Sequence, residues 1–358
     1  MRRALAINLT VWAAVLLTGC GHYRRHGLEP ARLRQIENTF VLGELRLSRK
    51  LESRILALDP NNVTAADVRD VLSHAPAPRI VNIHGGLASV IPHMVSFSEF
   101  LIGMGYPAVS LTNPSDGTYS FSCYESSEKI AGAIAWFYEK EGFRPMIVGH
   151  SQGGMQAVKV LYKLAGGPSA PLHVWNPLTW EKDKRCEIID PLSRRPRPVV
   201  GLQLPYVTAV GAGGLTRALP NQWDMTLRLH TIPNSVEEFT GFCKKNDLVG
   251  GDFLGYGAAN HFKSGGRAVV RNVWLPTEYK HGRIPDTKHL LNDPKMVDWI
   301  NRYRPGNGPI TTPLLEAKFD ADSSNILWAA DVWFSIKKHW TLELQRRIRA
   351  RLSPEDRP

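Results

Sequence analysis

From residue 78 onward, short apolar runs alternate with longer stretches of helical period. Residues 79–83 read as a strand ending in His84-Gly85-Gly86. Residues 95–104 have helical spacing. Residues 106–111 predict a second strand, ended by the turn residues Asn113-Pro114-Ser115-Asp116-Gly117. Residues 126–141 form an amphipathic helix, Met146-Ile147-Val148 a buried strand, and residues to about Leu164 a further helix. Residues 269–275 read as the last strand of the series. Strands separated by helices imply an α/β class with a mostly parallel central sheet flanked by crossover helices. No internal repeat or low-complexity tract interrupts the pattern.

The flanks differ in texture. Leu33, Ile36, Phe40, Leu47, Leu51 and Ile55 fall at roughly helical spacing with a break near Gly43, and Thr64-Ala65-Ala66-Asp67 has the form of a capping box. At the other end Trp333, Ile336, Trp340, Leu344, Ile348 and Leu352 recur at steps of three and four, with Lys337, Lys338, Arg346, Arg347, Arg349 and Arg351 beside them. A basic, Trp-bearing stripe can lie at a membrane interface. More often it packs on its own domain, and packing is the expectation. Residues 20–77 are expected to form a tether and helical extension, 78–300 the main domain, and 301–358 a C-terminal extension with an amphipathic helix.

Composition adds an address and removes some partners. Arg2 and Arg3 precede an apolar stretch over residues 4–17, which is short for a membrane span and suits a signal segment. Leu17-Thr18-Gly19-Cys20 follows and resembles the bacterial lipobox. The resemblance implies removal of residues 1–19, lipidation at Cys20 and, with Gly21 next, release to the periplasmic face of the outer membrane in the bacterial envelope. The whole chain carries +11, and losing Arg2 and Arg3 with the leader leaves +9. The basic residues are scattered rather than gathered with aromatics into a stripe, so nucleic acid is not an expected partner and an anionic membrane surface is the better match. Cys123, Cys186 and Cys243 remain after Cys20. An exported chain can form one disulfide from them, and loop positions favour Cys123 with Cys186. No Cys/His cluster has zinc spacing, so no metal is expected, and no cofactor either.

The chemistry concentrates at Gly149-His150-Ser151-Gln152-Gly153-Gly154. It directly follows the strand ending at Val148 and opens a helix. A serine projecting from a tight strand-to-helix turn needs strained dihedrals and neighbours without side chains two positions away. The helix start also directs backbone N–H groups at a developing oxyanion. Ser151 is therefore the expected nucleophile.

With that motif in its strand–turn–helix setting, residues 78 to about 300 resemble an α/β-hydrolase, and Gly149 to Gly154 is similar to the elbow of lipases and esterases. Ile83-His84-Gly85-Gly86 resembles that family's His-Gly oxyanion motif. The resemblance implies Gly86 and Gln152 as oxyanion donors, with Leu87 as fallback, and His84 as a buttress of the loop. It also implies an acid and then a base after the serine. Asp247 is the expected acid, with Asp224 and Asp252 as competitors. His289 is the expected base, ahead of His281 and His261, because the family carries its histidine just before a closing helix. Residues 177–233 occupy the position of a cap, although the apolar run 199–210 within them reads equally as core or strand. The implied activity is cofactor-free cleavage of acyl esters through an acyl-enzyme. Thioesterase, acyltransferase or a non-catalytic envelope lipoprotein on the same scaffold are the alternatives.

Overall fold

The computed structural model describes residues 45–166, 171–212, 225, 227–250, 252, 261–306, 319 and 321–352. Its centre is a five-stranded, entirely parallel sheet: β1 (Ile80–Ile83), β2 (Met146–His150), β3 (Leu204–Val210), β4 (Val236–Lys244) and β5 (Val269–Leu275), side by side in that order. The register pairs Ile80 with Met146, Ile147 with Val207, Tyr206 with Glu238, and Val269 with Glu238. Parallel strands covered on both faces read as near-continuous apolar runs. β1, β2 and β3 are buried at every position.

Seven helices surround this sheet among the described residues: α1 (Arg49–Leu56), α2 (Ala65–Asp70), α3 (Ile91–Gly103), α4 (Ser127–Glu141), α5 (Gln152–Leu164), α6 (Pro294–Arg302) and α7 (Ile326–Arg351). Strand periodicity divides them into two layers, since neighbouring side chains point to opposite faces. Val81 and Ile147 pack with Ile130, Ile134 and Phe137 of α4 and Val158 and Leu161 of α5. Ile80, Met146 and Val148 face the other way, against Phe97 and Phe100 of α3 and Trp328, Trp333 and Trp340 of α7. Local signals set the helix starts. Ser126 caps α4 by accepting from Glu128 N, and Thr64 and Asp67 close a reciprocal capping box on α2.

Three expectations need correction. Residues 106–111 are not a strand. Pro107 has no N–H to give a ladder, and the segment turns through Ala108–Ser110 instead. Beyond it, only Phe121 makes a parallel bridge to Ile83. The apolar run 199–210 is not part of a cap, because Leu204–Val210 is the middle strand of the sheet. Cys123, Cys186 and Cys243 are all free: Cys123 is buried while Cys186 is half-exposed, so the favoured pair does not form. Cys20, Asp224 and the periodic positions 33–40 lie outside the described residues.

The C-terminal stripe packs on the domain. Trp328, Trp333 and Trp340 have no exposed surface. The polar groups of α7 also find partners inside: Asp331 with Arg271 at 2.6 Å, Glu343 with Arg144 at 2.6 Å, and Lys338 and His339 with Glu238 at 2.5 and 3.2 Å. Burial works against the Glu238 carboxylate, yet His339 and Lys338 hold its pKa down to about 2. Lys337 Nζ donates to Val63 O at 2.8 Å, tying the N-terminal segment to the same helix. Among the described residues no helix is long and apolar enough to cross a membrane.

Candidate active site

Ser151 sits between β2 and α5 with φ 53° and ψ −120°, a conformation that a non-glycine residue adopts only under constraint. The glycines around it supply the space. A Cβ on Gly149 would lie 2.5 Å from Gly153 O, and one on Gly153 would lie 2.2 Å from Ile83 O. The turn is therefore closed over itself and pressed against the end of β1. Ser151 N donates to Val210 O at 2.8 Å, which ties the turn to the end of β3 as well.

Two side chains from later in the chain meet this serine. Ser151 Oγ lies 2.9 Å from His281 Nε2, and His281 Nδ1 lies 2.8 Å from Asp247 Oδ2. Asp247 stands three residues past the end of β4, after a left-handed turn at Asn246. Burial alone would raise its pKa. The hydrogen bond and charge of His281, with the N–H of Gly250, instead hold it below the usual carboxylate range. An ionised carboxylate can only accept, so Nδ1 carries the proton and Nε2 is left to receive one from Ser151. Gly211, at φ +59° just after β3, leaves the imidazole its room: a Cβ there would lie 2.7 Å from His281 Cε1.

The loop that carries His281 is fastened from three directions. Asn325, at the start of α7, donates through Nδ2 to Arg283 O and Asp286 O at 2.9 and 3.0 Å. Leu327 N donates to Tyr279 Oη at 3.2 Å. Ser96 on α3 accepts from Thr287 N and Lys288 N at 3.1 and 3.0 Å and donates to Asp286 Oδ1 at 3.0 Å. The third fastening comes from the Ser151 turn itself. His150 Nε2 donates to His281 O at 2.8 Å. Burial, followed by the nearness of His281, pulls the His150 pKa down to about 3, so its ring is neutral.

The β1 loop closes the opposite side. A Cβ on Gly86 would lie 2.2 Å from Gln152 Oε1, so the two residues expected to give oxyanion N–H groups are neighbours. Tyr124 Oη donates to Gly86 O, and His84 Nδ1 donates to Gly85 O at 2.7 Å. Leu87 and Tyr124 beside Gly86, and Leu248 and Val249 beside Asp247, are large exposed apolar side chains.

His289 is not the histidine brought to Ser151. It lies in a short turn over Lys288–Asn292, with Nε2 3.4 Å from Ser324 Oγ. There it lines a cavity of about 660 Å³ behind the histidine loop, with Lys280, Arg283 and Asp322 also in the wall. Ser151, His281 and Asp247 do not line that cavity. The last strand ends at Leu275, and the chain reaches the serine six residues later rather than fourteen. Asp252 is also excluded as the orienting acid, since its Oδ2 accepts from Asn246 N at 2.8 Å and serves the turn. Four contributors carried no sequence signal of their role: Gly211, Tyr124, Ser96 and Asn325. Their partners are 38 to 192 residues away in the chain, or known only from the fold. Comparison with known proteins finds no matching family model, no matching curated protein and no matching solved structure.

Proposed function

We propose that the chain is a serine hydrolase of the α/β-hydrolase fold that cleaves carboxylic esters without a cofactor. The observation that carries the reading is the continuous chain of Ser151 Oγ, His281 and Asp247 at 2.9 and 2.8 Å, with the serine in a constrained strand-to-helix turn. In this reading His281 Nε2 takes the Ser151 proton as Oγ attacks the acyl carbonyl, and Asp247 fixes the imidazole tautomer. The N–H groups of Gly86 and Gln152 hold the oxyanion. His281 then returns the proton to the departing alcohol, and water releases the acid from the acyl-enzyme by the same route. The exposed apolar side chains Leu87 and Tyr124 beside Gly86, and Leu248 and Val249 next to Asp247 in the chain, favour an acyl ester over a charged substrate. On the lipobox resemblance, we place the protein in the bacterial envelope, held to the membrane through Cys20.

A fluorophosphonate probe tests the reading without knowledge of the natural ester, because it requires an activated serine. Wild-type protein should label at Ser151 and hydrolyse a short p-nitrophenyl ester, and Ser151→Ala should do neither while keeping its thermal midpoint. An unlabelled, inactive wild-type protein, or a Ser151→Ala variant that keeps its activity, would overturn it.

A further inference from the structure

Two arginine-bearing segments far apart in the chain, Arg194-Arg195-Pro196-Arg197 and the end of α7, come together in the fold away from the triad. Arg194 and the end of α7 line a cavity of about 400 Å³, and every charged side chain in its wall is an arginine: Arg46, Arg194, Arg347 and Arg351. We propose that this cavity is a binding site for a phosphate group, independent of the catalytic reading.

Several features give it the character of a built site. Arg347 forms its floor, 3% exposed, and is fixed by donation from Nη1 to Pro191 O at 2.8 Å. Gly142, the left-handed cap of α4, leaves room for that guanidinium, since a Cβ there would lie 3.0 Å from Arg347 Nη2. Arg194 is presented by a rigid turn. Asp190 Oδ1 accepts from Leu192 N and Ser193 N at 2.8 and 3.0 Å, Arg194 N donates to Asp190 O at 2.8 Å, and Arg194 itself is held at φ +57°. Arg351 reaches back to Leu45 O and Glu52, which brings Arg46 to the rim.

Electrostatics then indicates what the cavity would take. Burial first, and after it the charges of Arg194, Arg346 and Arg351, lower the pKa of Arg347. Guanidinium groups from three segments of the chain line this one concavity, Arg351 among them with Glu52 beside it, and a concavity walled by arginines focuses a positive potential that attracts an anion. Two cations in the last turn of α7 would suffice to answer its helix dipole, whereas Arg46 and Arg194 belong to other segments. Planar guanidinium forks match phosphate oxygens in pairs. The volume exceeds a bare phosphate and leaves space for what the phosphate is attached to, with Leu45, Leu192 and Ala350 as an apolar wall. The ligand is thus a phosphodiester such as an anionic lipid headgroup, or a free phosphate.

Isothermal titration of the full chain at low ionic strength separates these sources. The probes are glycerophosphoglycerol, a soluble phosphodiester headgroup, and inorganic phosphate. Saturable binding of either one, weakening with added salt, is expected. A preference for the diester assigns a lipid headgroup, and a preference for inorganic phosphate assigns a free anion. The Arg46→Gln/Arg194→Gln variant should bind at least tenfold more weakly, with ester hydrolysis unchanged because neither residue approaches Ser151. Lys295→Gln/Arg302→Gln, which removes the same charge from α6, should bind as wild type does. If the double rim variant proves unfolded in a thermal melt, Arg194→Gln alone replaces it. No binding of either probe, or equal binding by the rim variant, would overturn the site.

Discussion

The nucleophile turn and the histidine loop form two halves of one candidate site, yet they are held in place by different means. The turn is set by its own residues: Gly149, Gly153 and the start of α5 force Ser151 into its conformation within six positions of chain. The histidine loop has short turns of its own, with Arg283 N donating to Lys280 O and Asp286 N to Arg283 O, but leans on distant segments for its position. Its backbone hangs on Ser96 and Asn325, and on His150 of the turn. A site built this way should fail differently on its two sides. Crowding the turn should cost stability, while damage to the loop's supports should misplace one imidazole at little cost to stability.

The largest expected effect concerns the imidazole itself. His281→Ala should lower kcat on a short p-nitrophenyl ester by about four orders of magnitude or more, as loss of a triad member does. His289→Ala should stay within about twofold, since that ring faces another cavity. Reversed outcomes would make His289 the base.

Gly153→Ala probes the turn. Its new methyl would meet the carbonyl of Ile83, a backbone atom that has no room to move, so a loss of about 3 kcal/mol is expected. For a domain of this size that is roughly a 5 °C fall in thermal midpoint. An unchanged midpoint would show that β1 and the turn are not in contact.

Asn325→Gly separates support from structure, because glycine accepts the left-handed backbone at φ +65° while deleting both side-chain hydrogen bonds. We expect kcat to fall about tenfold with KM nearly constant, as a misplacement near 1 Å can cost even more. The thermal midpoint should shift by only a few degrees. Equal kcat in variant and wild type would remove α7 from the positioning of His281.

His150→Leu, which also removes the hydrogen bond to His281 O, is told apart by the pH dependence of its stability. His150 is held neutral in the fold, with a pKa near 3 against an ordinary value of 6.5. The unfolded chain therefore binds the extra proton between those limits. The contribution to stability is complete above about pH 6.5 and is lost as pH falls towards 3. Thermal midpoints measured from pH 7 to 4 should drop more steeply for wild type than for His150→Leu. Parallel curves would place the proton elsewhere.

Most of the sheet was legible in the sequence, for physical reasons that can be named. Buried parallel strands must be apolar throughout, so residues 146–148 stand out, whereas the half-buried edge strand 269–275 stands out by its β-branched and aromatic residues despite Arg271 and Asn272. The capping box at Thr64 and the cap at Ser126 satisfy N–H groups only a few residues away. The 106–111 segment failed because its apolar character serves burial rather than pairing: Tyr106 is 1% exposed yet lies beside a proline in a turn. The middle strand β3 was ambiguous because an apolar run between irregular segments has the same pattern whether it fills a cap or crosses the sheet.

The sequence by itself determined the α/β alternation and the strained serine turn, because each is enforced by interactions within a few residues or by a requirement to be buried. Asp247 stood out from Asp224 and Asp252 only through the family resemblance. The sequence left several histidines after the last acid, all in loops and all chemically equivalent on paper. Only the tertiary structure decided that His281 reaches Ser151 and that His289 does not. The same is true of the buried Trp stripe of α7 and the gathering of Arg46, Arg194, Arg347 and Arg351. Such placements depend on contacts between residues more than a hundred positions apart, and no local pattern encodes a contact whose two halves are specified separately.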